Sequence, residues 1–335
     1  MIFSRSAPTG SAVAGPARPG ERDLGRGTAS GFPLVVLAAA LWGTDALFRR
    51  GLALELPATT VVVWEHLLLS VLLLPVLVRI PWRRLSGTDW ISLVLIGAGA
   101  SALATGMFTA AFRYGDPNTP LLLQKLQPLV ALLGARLVLG ERLTPRFGRY
   151  LVVALAAGWL ISFPDPLQVQ ASDAVPAALA AGAASLWAMG TVLGRRMSGS
   201  LTPVQLTAAR FGIGLPAALL FAVLGPARGE SLGIPVGALI PLALLALVPG
   251  LLALLLYYRG LRATPASAAT LAELAFPLAA LTVNWLAFGA VLTVTQVVGL
   301  ISLSITLVVM SRAGRDAAAR LGVLTPAGSP RSRDG

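Results

Sequence analysis

Ten apolar stretches follow one another along the chain, at about 32–49, 57–79, 89–112, 117–139, 147–163, 174–194, 203–225, 234–258, 265–288 and 293–311. Short connectors carrying Gly, Pro or charge separate them. As an α-helix, a stretch of about 20 apolar residues crosses a hydrocarbon core about 30 Å thick. In lipid the helix is favoured because it satisfies its own backbone N–H and C=O groups. The pattern predicts an all-α polytopic membrane protein with ten transmembrane helices. Composition agrees: the chain is 56% hydrophobic and 12% charged, where a soluble domain carries about 25% charged residues.

A net charge of +12 and a pI near 11.5 raise nucleic acid as a partner. The basic residues, however, are scattered over connectors between apolar stretches, which is the pattern of membrane orientation, so no nucleic acid is expected. With the N-terminus inside, nineteen of the 26 Lys and Arg residues fall on the cytoplasmic side. Four (Arg49, Arg50, Arg113, Arg228) fall opposite, and three (Lys125, Arg136, Arg210) lie within spans. That asymmetry places both termini in the cytoplasm, in a plasma or inner membrane. There is no Cys and one His, so neither disulfides nor a transition-metal site is expected, and no cofactor. Residues 1–30 are rich in Gly, Pro, Ser and Arg without a signal-peptide core, and are expected to form a disordered basic tail. Residues 312–335 are expected to form a similar cytoplasmic tail.

The chain also repeats itself. LVLGERLT (137–144) aligns with LAFGAVLT (286–293) at an offset of 149, which also sets Pro128 on Pro277 and Gly140 on Gly289. LW at 41–42 matches LW at 186–187 at an offset of 145, and Pro57 matches Pro203 at 146. Two related halves of five helices follow, 31–163 and 174–311. An odd helix number inserts the second half upside down. The charges agree, since Glu141 and Arg142 inside become Ala290 and Val291 outside. Inverted repeats around a midplane site are a transporter architecture.

PLVALLGARLVLGERLT, its weaker partner PLAALTVNWLAFGAVLT and the two LW motifs resemble the EamA-type permeases of the drug/metabolite transporter superfamily, over about residues 32–311. The resemblance implies ten helices in two inverted five-helix repeats, moving small organic solutes across the inner or plasma membrane. Ala290 stands where that family usually carries Glu, at a position expected outside the bundle core.

Charged groups at mid-span cost about 2.5–3.5 kcal/mol on insertion scales and usually face the bundle interior or a wet cavity. Here they are Asp45, Glu65, His66, Lys125, Arg136, Arg210 and Glu273. Arg136 lies one turn from the cytoplasmic end, where it can snorkel. Lys125, the only lysine, lies about eight residues deep, on the order of 12 Å. An ammonium there can give up its proton, which a guanidinium cannot. Glu65 lies at similar depth, so an ion pair or a shared substrate is expected for the two. Asp45 precedes Arg49 by four residues, the spacing of a helical ion pair. Glu273 matches Gln124 at the 149 offset, and Arg210 matches Trp64 at 146, where the resemblance implies an Arg. Trp42 and Trp187 open the two halves at matched positions and either pack helices or wall a cavity. Tyr257 and Tyr258, beside Arg259, read as interfacial anchors.

The candidate substrate-binding residues are thus Trp42, Asp45, Glu65, His66, Gln124, Lys125, Trp187, Arg210 and Glu273. The same charges can instead neutralise one another and pin helices. Pro128, Pro277 and Pro249–Gly250 favour kinks, either hinges or static bends, and GAGASALATG (97–106) favours close helix approach. The expected function is transport of a small polar or charged organic solute, such as an amino acid or other metabolite or drug, by alternating access. Titratable groups in low dielectric make protons the expected coupling ion. The alternative is a lipid-modifying membrane enzyme with His66 and Glu65 as an acid/base pair, although the sequence carries no nucleophile motif, phosphate loop or metal cluster. A third reading, a channel or scaffold, would call for charged rings around a pore.

Overall fold

A computed structural model describes residues 28–111, 123–124, 126–141, 145–163, 165–168, 174–224, 229, 231–289 and 291–320. Lys125, Arg142, Ala290 and most of both tails lie outside them. The described residues are helical and contain no strand. Among the described residues, six helices are long and apolar enough to cross a membrane: Gly31–Arg49, Gly87–Phe108, Ala177–Met197, Pro203–Leu224, Val236–Arg262 and Ala266–Phe288. Thr59–Leu72, Gln127–Leu139, Phe147–Ile161 and Val294–Val309 are shorter apolar helices.

The segments used below are α1 (Thr28–Gly43), α2 (Asp45–Glu55), α3 (Ala58–Leu72), α4 (Gly87–Phe108), α5 (Gln127–Leu139), α6 (Pro145–Ser162), α7 (Ala174–Met197), α8 (Pro203–Leu224), α9 (Val236–Arg262), α10 (Ala266–Ala272), α11 (Ala275–Phe288) and α12 (Val294–Arg320). Helix α1 packs on the C-terminal part of α9 and on α11, and α7 packs on α4 and α5. Helix α3 packs on α8, and α6 on α12.

Small residues set these distances. Gly31 of α1 and Gly260 of α9 bring two backbones into contact: a Cβ at Gly260 would fall 2.7 Å from the Gly31 carbonyl oxygen. At Gly97 of α4, a Cβ would fall 2.9 Å from the carbonyl oxygen of Arg210. Such glycine seams let membrane helices gain dispersion contact where no hydrophobic drive separates protein from lipid.

The helices are interrupted at particular residues, each with a backbone cause. Between α1 and α2 the chain turns at Thr44, whose hydroxyl donates to Leu41 O at 2.7 Å. Both α4 and α9 contain a π-helical stretch, Leu95–Leu103 and Ala246–Leu252. The first falls on the small-residue run; the second holds Pro249, which has no N–H to donate to the turn before it. Pro277 likewise leaves the Glu273 carbonyl without its usual donor. Phe276 N donates to Glu273 O instead, at 3.0 Å, and α10 ends there. Pro128 sits in the first turn of α5. Pro128 and Pro277 therefore do more than bend a helix; each lies in the first turn of a new segment. Helices α5 and α11 both stop at left-handed glycines, Gly140 (φ 68°) and Gly289 (φ 64°), a conformation that a side chain disfavours.

A polar cavity as candidate functional site

The residues flanking the Thr44 turn, both π-helical stretches and both proline breaks border one cavity of about 650 Å³. Trp42, Asp45, Glu65, His66, Gln124, Trp187, Arg210 and Glu273 all line it. Lys125, the remaining candidate, lies outside the described residues. Interrupted helices suit such a site, because irregular backbone within a membrane is tolerated where it lines a cavity.

Two groups of charge stand on the cavity wall. In the first, the Arg49 guanidinium holds Asp45 through Nε–Oδ2 at 2.5 Å and Nη2–Oδ1 at 2.8 Å. Its Nη2 also lies 3.5 Å from Glu65 Oε2. The counting of charges above put Arg49 on an outer connector. It lines the cavity instead, because the chain resumes as a helix after Thr44 and carries Arg49 back over Glu65. The i,i+4 spacing from Asp45 was the signal that could have found it.

The second group surrounds Glu273. Its Oε1 accepts from Thr191 Oγ1 at 2.8 Å, and Tyr257 Oη lies 2.8 Å from both. Its Oε2 accepts from Gln127 Nε2 at 2.9 Å. Tyr257 and Tyr258 are 3% and 0% exposed, so neither is an interfacial anchor. The helix runs on to Arg262, which sets them more than a turn inside its end, on the inward face. The 149 offset pairs Tyr257 with Phe108, which also lines the cavity.

Arg210 stands apart from both groups. Its Nε lies 3.3 Å from Ser101 Oγ, its Nη1 3.2 Å from Tyr258 Oη and its Nη2 3.4 Å from Ala100 O. All three are neutral acceptors. Among the described residues, Arg210 makes no ion pair within 4 Å, whereas Arg49 makes two. His66 is fixed in one tautomer. Its Nδ1 faces Val62 O at 2.8 Å, so Nδ1 carries the hydrogen, and Nε2 accepts from Ser101 Oγ at 2.9 Å. Glu65 and His66, though adjacent in sequence, engage different partners.

Two aromatic pairs line the cavity. Trp42 and Tyr257 have ring centroids 5.0 Å apart, and Phe108 and Trp187 5.1 Å apart. The repeat offsets exchange one pair for the other, Trp42 for Trp187 and Phe108 for Tyr257.

One further buried carboxylate lies away from the cavity. Glu141 follows Gly140 at the end of α5 and is 6% exposed. It accepts from the N–H groups of Ala266 and Ser267 at 2.7 and 3.0 Å and from Ser267 Oγ at 2.6 Å. It thereby caps α10 from the other half of the chain. The end of this repeated motif is thus packed inside the protein rather than outside its core, at least in the first copy.

A bundle of apolar helices around a polar, aromatic-walled cavity is the anatomy of a multi-pass membrane transporter. Residues 29–163 and 175–312 both match the EamA-like transporter family, and the chain belongs to that family. It is 30% identical over 295 residues to the riboflavin transporter ImpX of Fusobacterium nucleatum subsp. nucleatum, covering 83% of this chain and 96% of that protein. A crystal structure of another protein superposes with a TM-score of 0.65 at 18% identity, covering 86% of this chain and 99% of that one. That likeness is one of fold.

Proposed function

We propose that the chain is an alternating-access carrier for a small, flat, heteroaromatic metabolite bearing polar or acidic groups, with riboflavin the first candidate. The aromatic pairs that wall the cavity, joined by a guanidinium without a carboxylate partner, carry this reading. Aromatic faces stack on a flat ring, and Arg210 offers its fork of donors to a carboxylate, phosphate or carbonyl edge. The cavity volume falls within the range of about 300–1,000 Å³ common for small-molecule sites. The riboflavin transporter from Fusobacterium supports the choice of first candidate.

In this reading residues 31–163 and 174–311 are two inverted repeats of five helices, and the cavity lies at their interface. Helix contacts support it: α1 on α9 and α11 corresponds to α7 on α4 and α5, while α3–α8 and α6–α12 exchange with themselves. The matched π stretches, proline breaks and left-handed glycines fit the same exchange. Rocking of one half against the other opens the cavity to each side in turn, with protons as coupling ion. The charge count along the connectors supports a plasma or inner membrane with both termini cytoplasmic.

A zwitterion such as an amino acid is the second reading, favoured by Arg210 and the carboxylates of Glu65 and Glu273 facing one cavity. Counterflow in liposomes tests both. Vesicles preloaded with unlabelled riboflavin should transiently concentrate labelled riboflavin, which a channel or a membrane enzyme does not do. Suppression by amino acids but not flavins would select the zwitterion. Absence of counterflow with every solute tried would overturn the carrier reading.

A further inference from the structure

We infer that Glu65 is the group that carries the coupling proton. The inference rests on the carrier reading and assigns the exchangeable proton within it.

Asp45, Arg49 and Glu65 bring two carboxylates to one guanidinium on the cavity wall. Asp45 takes the guanidinium fork at 2.5 and 2.8 Å. Glu65 reaches a single nitrogen at 3.5 Å, beyond good hydrogen-bond length. Its side chain is 14% exposed. Its Oε1 faces the Pro249–Gly250 stretch, where a Cβ on Gly250 would fall 3.2 Å from it. An ionised carboxylate has about four acceptor sites. Those of Glu65 meet one distant donor, so the anion is poorly solvated. Two carboxylates sharing one cation favour a proton between them. Both oxygens of Asp45 are engaged by Arg49, so the proton resides on Glu65.

The surrounding charges leave that assignment in place. His66, next on the same helix, turns to Val62 and Ser101. From α8, Arg210 engages Ser101, Tyr258 and Ala100 and acts on Glu65 only from beyond 4 Å. Glu273, beyond α10, has its charge met by Thr191, Tyr257 and Gln127. The facing stretch of α9 contributes Pro249 and Gly250, neither titratable.

Coupling follows from charge balance. With Glu65 protonated, the group with Asp45 and Arg49 is neutral, and the cavity can close without burying an excess charge. With Glu65 ionised, the group carries one net negative charge with no second cation among the described residues within 4 Å, and closing buries it in low dielectric. The halves therefore exchange with a proton on Glu65, or with a cationic group of the solute in its place.

The test uses the full chain in liposomes with the labelled solute that supports counterflow. One proton per solute lets a pH step of one unit sustain about tenfold accumulation in the wild type. Whatever counterflow Glu65→Gln retains should be independent of pH, and the variant should accumulate nothing. A second arm needs no solute. The infrared C=O stretch of a buried protonated carboxyl should be present in the wild type and absent from Glu65→Gln. It should also vanish in Asp45→Asn, where Arg49 is left free to turn to Glu65. Accumulation by Glu65→Gln at wild-type levels, or an infrared band unchanged in both variants, would overturn the assignment. Counterflow without any response to pH in the wild type would remove proton coupling and leave the carrier standing.

Discussion

Arg210→Gln should abolish transport while leaving the melting temperature unchanged or raised. The guanidinium lies in the cavity wall with only neutral acceptors at 3.2–3.4 Å. A cation held that way costs the empty protein desolvation without the return of a close counter-ion. Its charge is free for solute. Removing one partner of a desolvated charge contact costs about 2–5 kcal/mol, or roughly thirtyfold to several thousandfold in affinity. A merely structural role predicts the reverse pattern, in which the melting temperature falls together with transport. Arg210→Lys keeps the charge but loses the fork, and should fall between wild type and Gln. Solute affinity and thermal unfolding, measured on the same detergent preparation, separate the two accounts.

Glu141→Ala should be the most destabilising change outside the cavity. The carboxylate accepts three hydrogen bonds of 2.6–3.0 Å from the start of α10. Without it two backbone N–H groups and a hydroxyl are left buried and unpaired. Loss of a charged cap in such a place costs about 2–4 kcal/mol. Ser267→Ala removes one of the three bonds and should cost about 1 kcal/mol. The order of melting temperatures, wild type above Ser267→Ala above Glu141→Ala, checks the cap. Coincident melting of Glu141→Ala and wild type would show that the bond network does not hold α10 to α5.

Much of the helical arrangement was legible in the sequence, because it is written in properties that need no partner. Apolar length marks where a helix can cross lipid. Pro128, Pro277, Gly140 and Gly289 act on the backbone wherever they stand, so their matched spacing carries directly into matched breaks and helix stops. The GAGASALATG run announced the close approach of α8 at Gly97 but not its own π winding, which no local pattern states. The orientation of side chains was harder to read. Tyr257 and Tyr258 look like anchors by position, yet face inward because α7 and α8 supply Thr191 and a guanidinium to meet their hydroxyls. Arg49 looked like a connector charge because the first apolar stretch was ended at it. Glu141 looked superficial because its partners lie 125 residues on. Each of these depends on a contact with another helix, and a periodicity of 3.6 says which residues share a face without saying which face meets which neighbour.

The central claim is that the cavity opens to each side of the membrane in turn. The chain has no cysteine, so a single Phe276→Cys on the cavity wall gives a label site without background. A membrane-impermeant maleimide should modify it in both right-side-out and inside-out vesicles, more slowly when transported solute is present. Modification from one side only, at a rate indifferent to solute, would contradict alternating access.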